Sequence, residues 1–463
     1  MVWENSWQGP FGEYVGYFDC LIGDRRSAVT FREIVRGIIA AGSAICQRIA
    51  AQSAVLMRAK DGAQRVIRFV RQESTQRSRV DAEALVARLR ERGLAQLSEA
   101  ENGEVWLILD LCDLRKPYAR RMEALMKVRD LKGDLVPGYR TVNVLAVTPG
   151  RRGLLYHRLF SSTAEEFVSE PAEVQRALGT TSAALAGLKE RLVVSWIVDR
   201  GLDDVAVWRS IWEQGEHVVC RVQHTERRVA YPDGAGGWQV GTIEQARGSL
   251  ERMAVARTRL EVRVGAQRRP KRQEVTVELR AGPVRLSYES HVRREGCGEM
   301  VEKTLWLVEA RLMKTDLAPW LLLTDWPVTD AASALRIFQM YRQRWAVEDS
   351  FKFTKECVGW EQVQLLDLEA VRTMVALAWV AAGFLYELGV TLEWPEVELL
   401  ARLGGWAARA DCRPGKTVIA RGLQRLFDLS TTQAFLDAYR AEHGALPPRI
   451  AALLGQPPPT HQL

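Results

Sequence analysis

The chain has 463 residues, 64 Lys plus Arg against 57 Asp plus Glu, a net charge of +7, and 47% hydrophobic residues. That composition excludes a disordered tail, a collagen-like repeat and a short disulfide scaffold. Seven scattered cysteines with no Cys-x-x-Cys pair point to neither a disulfide framework nor a thiolate zinc site.

The opening MVWENSWQGPFGEYVGYFD lacks the basic-then-apolar order of a secretory signal, so a cytoplasmic location is expected. Next, TFREIVRGIIAAGSAICQRIAAQS spaces Ile34, Ile38 and Ile39 for a helix, breaks at Gly42-Ser43, and resumes with Ile45 and Ile49. This fits a helix-turn-helix or a plain helical hairpin. From Arg58 to Arg92 there are ten basic residues against five acids. The run could track a phosphate backbone or form a solvated basic face.

From Glu104 the texture turns to β. VWLILDLCDL, TVNVLAVT (141–148) and GLLYHRLF (153–160) suggest a three-stranded meander. Residues 172–191 read as helix and LVVSWIVDRG (192–201) as a buried strand ending on Asp199, then a helix and the strand HVVCRVQ, an α/β alternation. Between 224 and 320, TRLEVRV, EVTVELR, VRLSYES and TLWLVEARL look like a separate β-rich insertion. After PWLLLTDWP the remainder is mostly helical, with breaks at 413–416 and 447–448. The uncharged run Met374–Tyr386 is 13 residues, short of the ~20 that span a membrane, and reads as a buried helix.

Asp110 and Asp199 each interrupt or end an apolar strand, where an ionised carboxylate is costly unless it is paired, hydrogen-bonded or metal-bound. Two such acids on neighbouring strands would suit Mg²⁺ or Mn²⁺; equally, each could cap the turn that follows it. Asp113 competes locally but points to the face opposite Asp110. In ALRIFQMYRQRWAVEDSFKFTKECVGW, Tyr341, Glu348 and Lys355 fall within ~40° of one another on a helix, and Arg344 within ~60° of Tyr341. That stripe is a surface ion-pair ladder or part of a metal and phosphate site. The six histidines form no ligand-spaced pair, and there is no Gly-x-Ser-x-Gly or phosphate-binding Gly-rich loop.

The run Tyr341-x-x-Arg344-x-x-x-Glu348, with Lys355 after six more residues, resembles the Y-R-E-K signature of bacterial insertion-sequence DDE transposases of family four. PWLLLTDWPV and ALRIFQMYRQRWAVEDSFK are similar to the branch carried by a composite kanamycin-resistance transposon. LILDLCDLRKP and IVDRGLDD resemble the strands bearing the family's first and second Asp. The intervals are 89 residues from Asp110 to Asp199 and 149 from Asp199 to Glu348, the second long enough for the β-rich insertion of that branch. The likeness covers roughly residues 104–390. In place of the hydroxyl-bearing pair of the close relatives, Leu111-Cys112-Asp113 follows Asp110.

The resemblance implies an α/β fold with a ribonuclease-H-like catalytic core. It implies a helical end-binding domain (1–100), core segments at 101–223 and 321–385 flanking the insertion (224–320), and a helical dimerisation region (386–463). Asp110, Asp199 and Glu348 would hold two Mg²⁺, with Mn²⁺ as a substitute, for in-line phosphoryl transfer. Arg344 and Lys355 would grip phosphates and Tyr341 the displaced strand. Trp320 would receive a flipped base, its alternative being a core aromatic. Arg200 is either a phosphate contact or part of its turn. The expected partners are double-stranded DNA, as transposon ends and target, and a second copy of the chain. The alternatives are a transposase-derived DNA-binding or regulatory protein that does not cut, and a stand-alone metal-dependent nuclease.

Overall fold

The computed structural model describes residues 9–57, 61–72, 80–98, 103–148, 151–262, 271–294, 297–315, 317–407 and 413–455. The chain forms two compact units. One comprises Met1–Leu89, Asp113–Tyr139 and Ser350–Leu463; the other comprises Arg90–Cys112 and Arg140–Asp349.

The first unit opens with α1 (Pro10–Gly16), α2 (Arg25–Ala41), α3 (Cys46–Ala51), α4 (Ala54–Met57) and α5 (Gly62–Val70); α6 (Ala82–Ser98) begins in it and continues, from Arg90, in the second. Asp24 starts α2 by accepting from the Ser27 amide, and Gly42 ends it at φ +55°. The break therefore lies where the Gly42-Ser43 pair puts it. Gly37 lets α3 approach closely, because a Cβ there would stand 2.8 Å from the Ile49 carbonyl oxygen. Much of the expected basic run is used internally: Arg65 donates to Thr30, Arg71 pairs with Asp367 at 2.7 Å, and Arg88 lies over Tyr17. Arg58, Lys60, Arg77 and Arg79 lie outside the described residues.

The second unit is built on a mixed sheet. Its strands are β1 (Glu104–Arg115), β3 (Leu135–Thr148), β4 (Arg151–Phe160), β5 (Val193–Val198) and β6 (His217–Arg221), with β2 (Met126–Arg129) paired to the start of β3 within the first unit. Further along come β7 (Arg228–Pro232), β8 (Trp238–Thr242), β9 (Glu251–Val262), β10 (Lys271–Arg294), β11 (Cys297–Leu312) and β12 (Trp320–Thr324). The order is β4-β3-β1-β5-β6-β12-β11-β10-β7-β8, with β9 on β10. The expected meander appears as β1, β3 and β4, with β2 as an addition. β5 runs parallel to both β1 and β6. Its last five residues and all of β12 are buried, the near-continuous apolar run, broken by Ser195 and ended by Thr324, of strands covered on both faces. Around the sheet lie α7 (Glu170–Leu185), α8 (Val205–Trp212), α9 (Ile243–Ala246) and α10 (Ala331–Arg342); α8 packs on β6, and α10 on β6 and β9–β11.

The β-rich segment is not a separate body. β11 pairs antiparallel with β12, from Trp306↔Thr324 to Ala310↔Trp320, so the segment prolongs the same sheet. EVTVELR and VRLSYES, which read as two strands, form one. Pro283 does not break β10 because it falls where the β9 pairing ends, at Ala281, and the β7 pairing begins, at Arg285.

α11 (Trp345–Cys357) leads into the helical remainder of the first unit: α12 (Leu368–Thr391), α13 (Trp394–Leu403), α14 (Lys416–His443) and α15 (Pro448–Leu453). α12 is long and apolar enough by composition to cross a membrane, but 72% of its most apolar stretch is buried inside the protein. There it packs against α1, α2, α5 and α14.

Candidate active site

β1 and β5 are in parallel register from Glu104↔Val193 to Leu109↔Val198, and β5 and β6 from Ser195↔His217 to Val198↔Cys220. The next residues are Asp110, Asp199 and Arg221. Three polar side chains therefore succeed an apolar row where the parallel pairing of three strands ends, the side on which open α/β sheets present their ligand sites. Asp199 also accepts a hydrogen bond from the Gly201 amide at 2.9 Å, so the capping role and the site role coexist in one carboxylate. Arg200, inside that turn, is exposed.

The helix signature is split. α10 ends at Arg342 and α11 begins at Trp345; the junction is closed by short bonds from the Arg344 amide to the Tyr341 carbonyl and from Ala346 to Gln343. The expectation of one continuous stripe is thus corrected: Tyr341 lies in the last turn of α10, Arg344 in the junction and Glu348 in the first turn of α11. Lys355 belongs to the other unit, where it pairs with Glu361 at 2.9 Å. Asp113 also lies there and accepts from the Arg129 amide.

Arg344 is the electrostatic centre of the site. Its side chain is 12% exposed, one nitrogen is 3.9 Å from Asp110 Oδ2, and the other donates to Glu348. Burial lowers its pKa, but Glu348, Tyr341 and Asp110 together outweigh that and hold it above the ordinary arginine value. Asp110, 15% exposed, is pushed up to about 7. Burial is the main cause and repulsion from Asp199 the next; Glu348 adds to the rise and Arg344 opposes it. The Tyr341 phenol is also raised, chiefly by burial, while Arg344 and Arg221 pull it down.

Oxygen donors of this kind fit a hard divalent cation, and the raised Asp110 marks a place where added positive charge is favourable. The three-carboxylate ligand set is not assembled, however. Among the described residues, no three His, Cys, Asp or Glu side chains gather closely enough to hold an ion. The reason is visible in Glu348, which is 54% exposed and turned to the Arg344 guanidinium. Arg344 supplies the positive charge that faces both Asp110 and Glu348.

Trp320, the first residue of β12, occupies a core position. Phe338, Tyr341 and Trp345 surround its ring at centroid distances of 5.6–5.7 Å, and the Arg221 guanidinium lies 5.6 Å from it. A base could reach it only after that cluster opened. Two residues that sequence reading passed over belong here. The charge of Arg221 pulls the Tyr341 phenol down, and Trp345 is the more exposed ring beside Trp320. A cation closing the buried strand HVVCR was the available signal for Arg221.

No protein-family model matches the chain. Among solved structures it is similar to piggyBac transposase, in a synaptic complex with hairpin DNA, at 9% identity and a TM-score of 0.38. The match covers 77% of this chain and 58% of that one.

Proposed function

We propose that this chain is a DDE-type DNA transposase of the insertion-sequence family whose Y-R-E-K signature it carries at Tyr341, Arg344, Glu348 and Lys355. One observation carries the reading. Asp110 and Asp199 directly follow the last paired rung of two adjacent parallel strands, and Arg344, from the α10–α11 junction, faces both Asp110 and Glu348. The order β4-β3-β1-β5-β6, with β1, β5 and β6 parallel, supports a ribonuclease-H-like core.

In this reading Asp110 and Asp199 would hold Mg²⁺, with Glu348 as the third carboxylate once it is released from Arg344. When bound, the metal supplies an activated water or 3′-hydroxyl and stabilises the leaving oxygen. The chain's own contribution is to aim charge. The released Arg344 and the neighbouring Arg221 present guanidinium groups to the phosphate being cut, where bidentate contact fixes its orientation. The partners are the transposon ends and target DNA, with the chain working as a dimer on DNA in the bacterial cytoplasm, since two ends must be cut together.

The test uses the full chain and a duplex carrying the inverted repeats that flank its coding sequence. Mg²⁺-dependent cleavage at the repeat ends, followed by joining of the freed 3′ ends to a second duplex, is expected. Asp110→Ala, Asp199→Ala and Glu348→Ala should each abolish cleavage while sparing end binding. Cutting retained in any one rejects that residue's assignment. Cleavage without joining would indicate a stand-alone nuclease, and binding without cleavage a regulatory protein.

A further inference from the structure

We propose that the arm from Arg115 to Leu135 is a docking surface for the phosphate backbone of duplex DNA of any sequence. Resting on the transposase reading above, this makes it a surface for target DNA. The arm lies wholly within the first unit. It carries Arg120, Arg121, Lys127, Arg129 and Lys132, all exposed, and none of them is paired with a carboxylate among the described residues. Tyr118 stands between them and β1 with 95% of its surface exposed, and its hydroxyl is a phosphate donor of the usual kind.

The arm's three acids, Glu123, Asp130 and Asp134, are outnumbered by its five exposed cations. Asp130 accepts from the Lys132 and Asp134 amides in the turn, Asp113 from the Arg129 amide, and Glu123 from the Leu368 amide. Lys127 and Arg129 lie two apart on β2 and so project from one face.

The arm is also pre-ordered. Lys116, the one buried cation, donates to the Glu361 and Val363 carbonyls at 2.6 and 2.5 Å and ties the arm's base to its own unit. Tyr139 donates to the Glu123 carbonyl at 2.6 Å. At Gly138 a Cβ would stand 2.5 Å from the Leu114 carbonyl oxygen, so β1 and β3 touch there through bare backbone. At the tip, Gly133 turns the chain at φ +94°. A fixed array of unneutralised cations binds phosphates without the cost of ordering a loop. With no base-reading element on it, it carries no sequence preference, which is what insertion into varied targets requires.

The experiment measures fluorescence anisotropy of a labelled 30-base-pair duplex of random sequence between 50 and 200 mM KCl. The full chain is compared with Arg120→Ala/Arg121→Ala/Lys127→Ala/Lys132→Ala and with Leu131→Ser/Leu135→Ser. Thermal melting checks that both variants fold. The quadruple variant should lose about 3.6 from the slope of log K against log salt, at about 0.9 for each of four phosphate contacts, and bind at least about tenfold more weakly at 100 mM. The leucine variant should match the wild type. An unchanged slope in the quadruple variant overturns the proposal, as does a loss seen only in the leucine variant, which would mark the tip as an apolar protein-binding surface. The two readings separate cleanly. A wild-type chain that cuts no transposon end defeats the transposase reading and leaves the salt slope standing. A quadruple variant that still cuts ends but joins them poorly supports both.

Discussion

Asp110→Asn should stabilise the metal-free protein at alkaline pH, by an amount that vanishes in acid. The Asp110 carboxyl is raised from 3.8 to about 7 by burial and by the charge of Asp199. At about 1.4 kcal/mol for each factor of ten, the ionised form is disfavoured in the fold by about 4 kcal/mol. For an acid raised in this way, the native state keeps its proton between roughly pH 4 and 7 while the unfolded chain has lost it. The stability tied to this group is therefore fully present below pH 4, declines through neutrality and is gone above pH 7. Asparagine has the same shape and no charge to bury. The variant should gain up to about 4 kcal/mol over the wild type at pH 8 and nothing near pH 4. Urea unfolding followed by tryptophan fluorescence across that range gives the difference, in which titrating groups not coupled to Asp110 cancel. Mg²⁺ provides an internal control. At tenfold its dissociation constant it should stabilise the wild type by about 1.4 kcal/mol and the variant far less. A variant no more stable than wild type at pH 8, or a difference that does not change with pH, would show that Asp110 does not sit in the electrostatic position assigned to it.

Arg344→Ala removes the guanidinium that faces Asp110 and Glu348. Mn²⁺ titrated calorimetrically at pH 8.5 in the absence of DNA should bind on the order of tenfold more tightly, because a competing positive charge about 4 Å away is gone; equal or weaker binding would refute Arg344 as the resident counter-ion. Gly422→Ala forces a Cβ to 2.0 Å from the Leu400 carbonyl oxygen where α14 crosses α13. It should cost about 3 kcal/mol, read as a lowered melting temperature by circular dichroism, and leave Mn²⁺ binding unchanged. Arg227→Met leaves the wholly buried Asp203 carboxylate with only the Gln223 and His224 amides. Loss of about 3 kcal/mol in urea is expected, because the carboxylate stays buried with its counter-charge removed.

What was legible in the sequence follows from where single residues violate a local pattern. Asp110 and Asp199 stand out because burying a carboxylate in an apolar strand is expensive, and the register places both at the same rung. Gly42 and Asp24 mark their helix boundary because only certain residues cap or turn a helix cheaply. The features that escaped depend on partners far along the chain. Periodicity carried the Tyr341–Lys355 stripe straight through Gln343 and Arg344, since nothing local forbids helix there; the break arises where Arg344 points toward Asp110, 234 positions earlier. Pro283 looked like a strand end because its missing amide is costly only if a partner strand needs it, and the handover from β9 to β7 removes that need. Glu348 illustrates the same limit at the site. Its presence is readable from the signature, but its rotamer is decided by competition between a guanidinium and a cation for one carboxylate. That competition makes the order of events testable. If Arg344 must be drawn off before Glu348 can complete the ligand set, a short duplex should tighten Mn²⁺ binding to the wild type and have little effect on Arg344→Ala. Equal tightening in both would place the coupling somewhere other than this ion pair.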